Sequence, residues 1–155
     1  MTNNVQPIEQ RLRDFFDSHL PVMGFMKVCV DYYDGKTLRL SSPLAPNIND
    51  KLTAFGGSLF CLNVMTCWGM QYLQTLEADI DCNSVVSHAE IDYIRPVRGE
   101  RFVAECSIDE AVASEMIDNF KNNAKSVVSL SSSISENGKV CVSFSGRYAL
   151  LPLLK

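Results

Sequence analysis

Between Leu52 and Leu76 the chain carries no charged side chain. A run of this length must be buried inside a domain or inside a membrane. It contains Gly56, Gly57, Asn63, Gly69, Gln71 and Gln74, and strand-like segments follow it at regular spacing. These polar interruptions argue against a membrane span. A helix that is apolar all round is also what a buried central helix looks like, and one is placed here from about Thr53 to Glu77. The loop Pro43-Leu44-Ala45-Pro46-Asn47 and the polar step Asn49-Asp50-Lys51 feed it. Glycines at the head of a helix let another molecule approach the backbone, and the unpaired N–H groups there point at whatever arrives. The same glycines would equally serve packing.

The remaining pattern supplies a cover for that helix. Ile8, Leu12, Phe15 and Phe16 share one face of an amphipathic helix over about residues 8–19, which Pro21 ends. Val28, Val30 and Tyr32 alternate in a strand over Phe25 to Tyr33. Asp34-Gly35 turns the chain into a second strand, Thr37 to Ser42. After the central helix, Val85 to Arg95 alternates Val85, Ala89, Ile91 and Tyr93 against His88, Glu90 and Asp92, which are expected to point away from the core. Pro96-Val97-Arg98-Gly99 reads as a turn into Arg101 to Asp109. Ser114 to Asn122 reads as a short helix with Ser114 as its N-cap. Ser126 to Ser135 and Lys139 to Leu150 form a last pair across Asn137-Gly138, a strong type I′ hairpin signal. Three strand pairs and one long apolar helix imply an α+β fold, a curved antiparallel sheet wrapped around a central helix. No linker or change of composition divides the 155 residues, so one domain over 1–155 is expected.

Composition excludes several functions. A formal net charge of −4 argues against nucleic acid as a main partner. The six cysteines form no C-x-x-C pair and do not group with the two histidines, so neither a metal site nor a cofactor is expected. Met1-Thr2-Asn3-Asn4 leads into the first helix without an apolar leader segment. A reduced, cytoplasmic protein is expected.

Specific residues carry a resemblance. Met23-Gly24, Asp34-Gly35, the run from Pro43 through Asn49, Asp50, Phe55, Gly56, Gly57 and Ser58 to Leu59, then Trp68-Gly69 and Tyr93-Ile94-Arg95-Pro96-Val97 resemble hot-dog fold thioesterases. In particular they are similar to the thioesterase-like domain at the C-terminus of YiiD-type proteins. The resemblance implies a hot-dog fold and an acyl-CoA or acyl-ACP (acyl carrier protein) thioesterase of fatty acid metabolism. It also implies assembly as a homodimer or a dimer-of-dimers tetramer, with active sites between subunits. YiiD-type proteins can carry an acetyltransferase domain as well, but acetyl transfer is not expected of this chain on its own.

Such thioesterases polarise the thioester carbonyl with a backbone N–H at the start of the central helix. A nearby Asn or Gln positions the carbonyl or the attacking water, and a carboxylate acts as base or nucleophile. By resemblance, Gly56 and Gly57 take the first role and Asn49 the second. The third has no match, because Asn63 and Val64 stand where the family's helix acid stands. Asp50, beside Asn49, is the nearest carboxylate and the candidate base, or else a solvated charge that favours the helix dipole. Asn63 would orient a water, and Ser58 would hydrogen-bond substrate or water. Arg95, Arg98 and Arg101 would hold the phosphates of coenzyme A or the acidic face of a carrier protein, or else form a soluble hairpin tip. Leu59, Leu62, Met65 and Trp68 offer an apolar slot for the acyl tail. The missing helix acid keeps a non-hydrolytic acyl-thioester binding protein open as the alternative.

Overall fold

The computed structural model describes residues 6–154; the Met1–Asn4 segment lies outside them. The elements in chain order are helices α1 (Ile8–His19) and α2 (Pro21–Phe25), strands β1 (Cys29–Tyr33) and β2 (Thr37–Pro43), a 3₁₀ turn over Ala45–Asn47, and helix α3 (Gly56–Glu77). Strands β3 (Asn83–Tyr93) and β4 (Arg101–Ser107), helix α4 (Glu110–Asn123), and strands β5 (Ser126–Glu136) and β6 (Lys139–Leu151) follow. The six strands form one sheet in the order β1-β2-β4-β5-β6-β3. Every pairing in it is antiparallel. The sheet is open and curved, and α3 lies along its inner face.

The apolar helix is buried as its composition demands. Leu62, Cys67, Met70 and Leu73 on α3 are completely buried, and Leu59 nearly so. They meet Leu38, Leu40, Phe102, Leu130, Val142 and Phe144 from the inner face of the sheet. Burying one such side chain contributes about 2 kcal/mol. Polar ties near its middle fix the helix on the inner strands of the sheet: Tyr148 Oη donates to Val64 O at 2.8 Å and Ser132 Oγ donates to Asn63 Oδ1 at 2.6 Å. The amphipathic α1 closes the far side of α3. Its Leu12 and Phe16 are buried, and Phe15 stacks on Trp68 with ring centroids 5.0 Å apart.

Several local expectations change. Pro21 ends α1 but also opens α2, occupying an early helical position where its missing N–H costs nothing. The strand expected from Phe25 therefore begins at Cys29. The central helix begins at Gly56 rather than Thr53, because Ile48 bridges Ala54 and holds the preceding residues in a small loop. The short helix begins at Glu110, four residues ahead of Ser114, with Asp109 extended at its N-cap position. The Asn137-Gly138 turn stands as expected, with φ of 51° and 73°.

The larger correction concerns β3 and β4, which are not a hairpin. β3 pairs only with β6, at the edge, while β4 lies between β2 and β5. The segment from Ile94 to Glu100 is therefore a strap across the ends of β6 and β5. Ile94 N and Arg95 N donate to Cys141 O, and Arg98 N and Gly99 N donate to the Glu136 carboxylate. A bulge between Val86 and His88 changes the phase of β3, so Val85 does not share a face with Ala89 and Ile91. His88, Glu90 and Asp92 are exposed, as the alternation suggested. No helix among the described residues is long and apolar enough to cross a membrane.

Candidate active site

The strap brings β3 to the head of α3. Ala54 N donates to Val97 O at 2.9 Å, and Tyr93 Oη donates to Gly56 O at 2.9 Å. Between strap and helix lies a cleft of about 320 Å³, lined by residues that include Thr53, Gly56, Leu59, Tyr93, Arg95 and Val97. Phe55 occupies the N-cap position of α3, with φ −64° and ψ 132°, and no side chain caps the helix. The first helical bond closed there runs from Leu59 N to Phe55 O. A Ser, Thr, Asp or Asn at an N-cap would accept the N–H of the second or third helical residue. Phenylalanine cannot, so the donors of Gly57 and Ser58 have no cap. The aligned peptides add roughly half a positive charge at this end, and α3 carries no charged residue before Glu77.

Gly57 is exposed, and its missing side chain is occupied space: a Cβ there would fall 2.5 Å from the Phe55 ring. The ring lies over the helix start and would have to swing away from any larger residue. Ser58 is nearly buried in the first turn.

The three asparagines of this region have separate jobs. Asn49 fastens the loop that leads into α3. Its Oδ1 accepts from Lys51 N at 2.8 Å and Thr53 N at 3.1 Å, while its Nδ2 donates to Thr53 Oγ1 at 2.9 Å. Asn47, which the sequence reading did not single out, is buried. Its Nδ2 donates to Met26 O, Ser42 Oγ and Pro43 O, and its own carbonyl accepts Phe55 N at 2.7 Å. Asn47 thus ties α2, β2 and the helix start together. Its partners lie as far as 21 residues away in sequence, and the local sequence shows only an Asn after a Pro. Asn63 is fully buried: its Nδ2 donates to Leu59 O and its Oδ1 accepts from Ser132. That amide is spent on the helix–sheet contact rather than presented to the cleft.

The charged candidates also separate. Asp50 is exposed and paired with Lys51 Nζ at 3.0 Å. Arg95 lines the cleft, and its Nη1 donates to Val140 O at 2.6 Å. Arg101 donates to the buried Ser41 Oγ at 2.7 Å, at the start of β4, and Arg98 is exposed on the strap. The strap is not a hairpin tip, and of the three arginines only Arg95 lines the cleft beside Gly56. Beyond Asn47, the structure adds Tyr93 and Phe55 to the neighbourhood. Nothing marks either as polar machinery in the sequence; Tyr93 shows there as an alternating strand residue and as the first of Tyr93-Ile94-Arg95-Pro96-Val97.

A six-stranded antiparallel sheet curved around one long helix, with a glycine-headed helix start, defines the hot-dog class of thioesterase folds. The chain matches the model of the family described as "Putative thioesterase (yiiD_Cterm)" over residues 9–152, and it belongs to that family. A protein of unknown function from Chlorobaculum tepidum is 43% identical with a TM-score of 0.90, covering 94% of this chain and 95% of that one. A crystal structure described as a "putative thioesterase" from Shewanella oneidensis is 30% identical with a TM-score of 0.86, covering 94% and 98%. A mutant thioesterase from Pseudomonas aeruginosa shares the fold at 15% identity and a TM-score of 0.71, covering 97% and 98%.

Proposed function

We propose that this chain hydrolyses acyl thioesters, of coenzyme A or of acyl carrier protein, with the thioester carbonyl held at the N-terminus of α3. The observation that carries the reading is the uncapped, glycine-headed helix start beside an open cleft, in a chain of a thioesterase family. When water adds to the carbonyl carbon, negative charge develops on the oxygen. A backbone donor fixed in advance near that oxygen is worth roughly 3 kcal/mol. Gly57 N–H, with Gly56 beside it, takes that role, and the helix field adds to it. Asn49 orients the carbonyl or the water after releasing one of its loop bonds. Asp50 accepts the proton of water once its carboxylate leaves Lys51. The C–S bond then breaks, the thiolate departs and takes up a proton, and the acid is released. Arg95 holds the acidic end of the carrier, with Arg98 further along the strap and Arg101 at the start of β4, and Ser58 supports the substrate from the first turn.

A homodimer suits the same site. β3 is an 11-residue edge strand whose free side is accompanied by exposed Val85, Val86, Tyr93 and Ile94. An unpaired edge of this length, with exposed apolar side chains towards both ends, is a template for pairing with a second copy. A partner there would cover Tyr93 and the mouth of the cleft. A Val86→Lys variant that still sediments as a dimer would remove this edge from the assembly. The free cysteines accord with a cytoplasmic setting.

One observation favours a second reading. α3 offers no carboxylate near its start, and the Asp50 carboxylate is engaged by Lys51 at the surface. A protein that binds acyl thioesters without hydrolysing them needs only the donors. Thiol release from a panel of acyl-CoAs and acyl carrier proteins separates the two: release well above the uncatalysed rate supports the hydrolase, and tight binding without release supports the binder. In an active protein, near-normal turnover of Asp50→Asn excludes Asp50 as the base.

A further inference from the structure

The carbonyl of Gly56 and the N–H of Gly57 belong to one planar amide unit. Tyr93 Oη donates to that carbonyl at 2.9 Å. A hydrogen bond accepted at the oxygen of an amide makes its N–H a better donor, because bonds in series polarise one another. We propose that Tyr93 is a positioning residue for the Gly57 N–H: its phenol holds the first peptide plane of α3 and strengthens the donor that faces the thioester oxygen. This rests on the reading of the α3 start as the thioester site.

The geometry suits the role. Tyr93 is the last residue of β3, and the next two residues both donate to Cys141 O, at 2.8 and 3.0 Å, so the phenol hangs from a fixed point of the sheet. The hydroxyl end of its ring lies close enough to the helix start that a methyl added at Gly56 would touch it at 3.5 Å. A carbonyl has two lone pairs, so the phenol does not displace the intrahelical bond that Gly56 O accepts from Phe60 N–H. A phenol is protonated at neutral pH, so Tyr93 Oη carries the proton it donates, and partial burial raises its pKa further. With Phe55 supplying no cap, no side chain among the described residues consumes the polarised N–H. Two supports thus act on peptides one apart at the helix start: Asn47 O holds Phe55 N, and Tyr93 holds Gly56 O.

The test is Tyr93→Phe, which keeps the ring and removes only the hydroxyl, with Tyr32→Phe as control. Tyr32 donates to Asp34 in the β1–β2 turn, outside the cleft. Tyr93→Phe is expected to lower kcat about three- to five-fold with KM nearly unchanged. In ¹H–¹⁵N spectra of the free protein it is expected to move the Gly57 amide proton upfield, at an unchanged melting temperature. Tyr32→Phe is expected to do neither. A Tyr93→Phe protein with wild-type kcat, or with the Gly57 resonance unmoved, overturns the proposal. So does a rise in KM alone, which would make Tyr93 a mere wall of the cleft. If the wild-type chain releases no thiol while the Gly57 amide still shifts in Tyr93→Phe, the hydrolase reading falls and the Tyr93–Gly57 coupling stands.

Discussion

The two ends of α3 are held in opposite ways. At the C-terminal end, side chains are used up in bonds. Gln74 Nε2 donates to Gly35 O at 2.8 Å and to Tyr33 Oη at 3.0 Å, Trp68 Nε1 donates to Ser84 O at 3.0 Å, and Phe15, Trp68 and Tyr72 stack into one slab. At the N-terminal end the backbone does the holding, through Phe55 N to Asn47 O, Ala54 N to Val97 O and Tyr93 to Gly56 O. These bonds secure the residues before the helix and the first carbonyl, and they leave the leading N–H groups without a cap. One end is built for stability; the other keeps donors available at the edge of a cleft. Substitutions at the first end should therefore change stability without changing activity, and those at the second should change activity whatever they do to stability.

The largest expected effect is at Asn49. Asn49→Ala removes the clasp of the loop and the proposed hold on carbonyl or water, and should lower kcat about 100-fold. An unchanged rate in steady-state assays would take Asn49 out of the site. Next is Phe55→Asp, which supplies the missing cap. A carboxylate there accepts Gly57 or Ser58 N–H, so the protein should gain about 1 kcal/mol in urea unfolding while thioester turnover drops roughly ten-fold or more. Gains in both would mean that these donors do not meet the substrate. At the opposite end, Gln74→Ala should cost about 1 kcal/mol of stability and leave kcat/KM as it was; a matching loss of activity would break the division between the two ends.

The smallest effect is pH-dependent. Asp34 accepts Lys36 N at 2.9 Å and Thr37 N at 2.7 Å in the turn, and these bonds hold its carboxyl below the ordinary carboxylate range. A group with a depressed folded-state pKa stabilises above its unfolded pKa, and that contribution is lost as pH falls through the folded value. Asp34→Asn should therefore flatten the acid limb of the stability curve below about pH 4 and lower stability slightly at neutral pH, where the wild-type contribution is complete. A wild-type acid limb in the variant would show that the turn does not depend on the charge.

Much of the architecture was legible from local pattern. The uncharged run, the alternating strands and Asn137-Gly138 each signal their element through nearby residues, because helix and strand periodicity and positive-φ turns are local properties. The β3–β4 link was misread for the same reason. Pro96 and Gly99 signal that the chain turns, but whether the next strand pairs with the last one depends on partners far away in sequence, here β6 for one and β2 and β5 for the other. At the site, the glycines and the Asn49 loop stood out because they are unusual in sequence. Asn47 and Tyr93 did not, since each acts on a backbone group that lies beyond its own local segment.

The sequence by itself determined that this chain buries one long uncharged helix against an amphipathic, mostly antiparallel sheet. Nothing else satisfies an apolar surface on all sides of a helix beside strands with one apolar face each. Only the tertiary structure decided what the glycine pair faces. A phenylalanine at the N-cap leaves the helix donors uncapped, the strap from β3 lays a tyrosine hydroxyl on the first carbonyl, and the asparagine within the helix is sealed in the core. Those outcomes depend on which strand ends meet the helix, and that is set by pairing across the whole sheet.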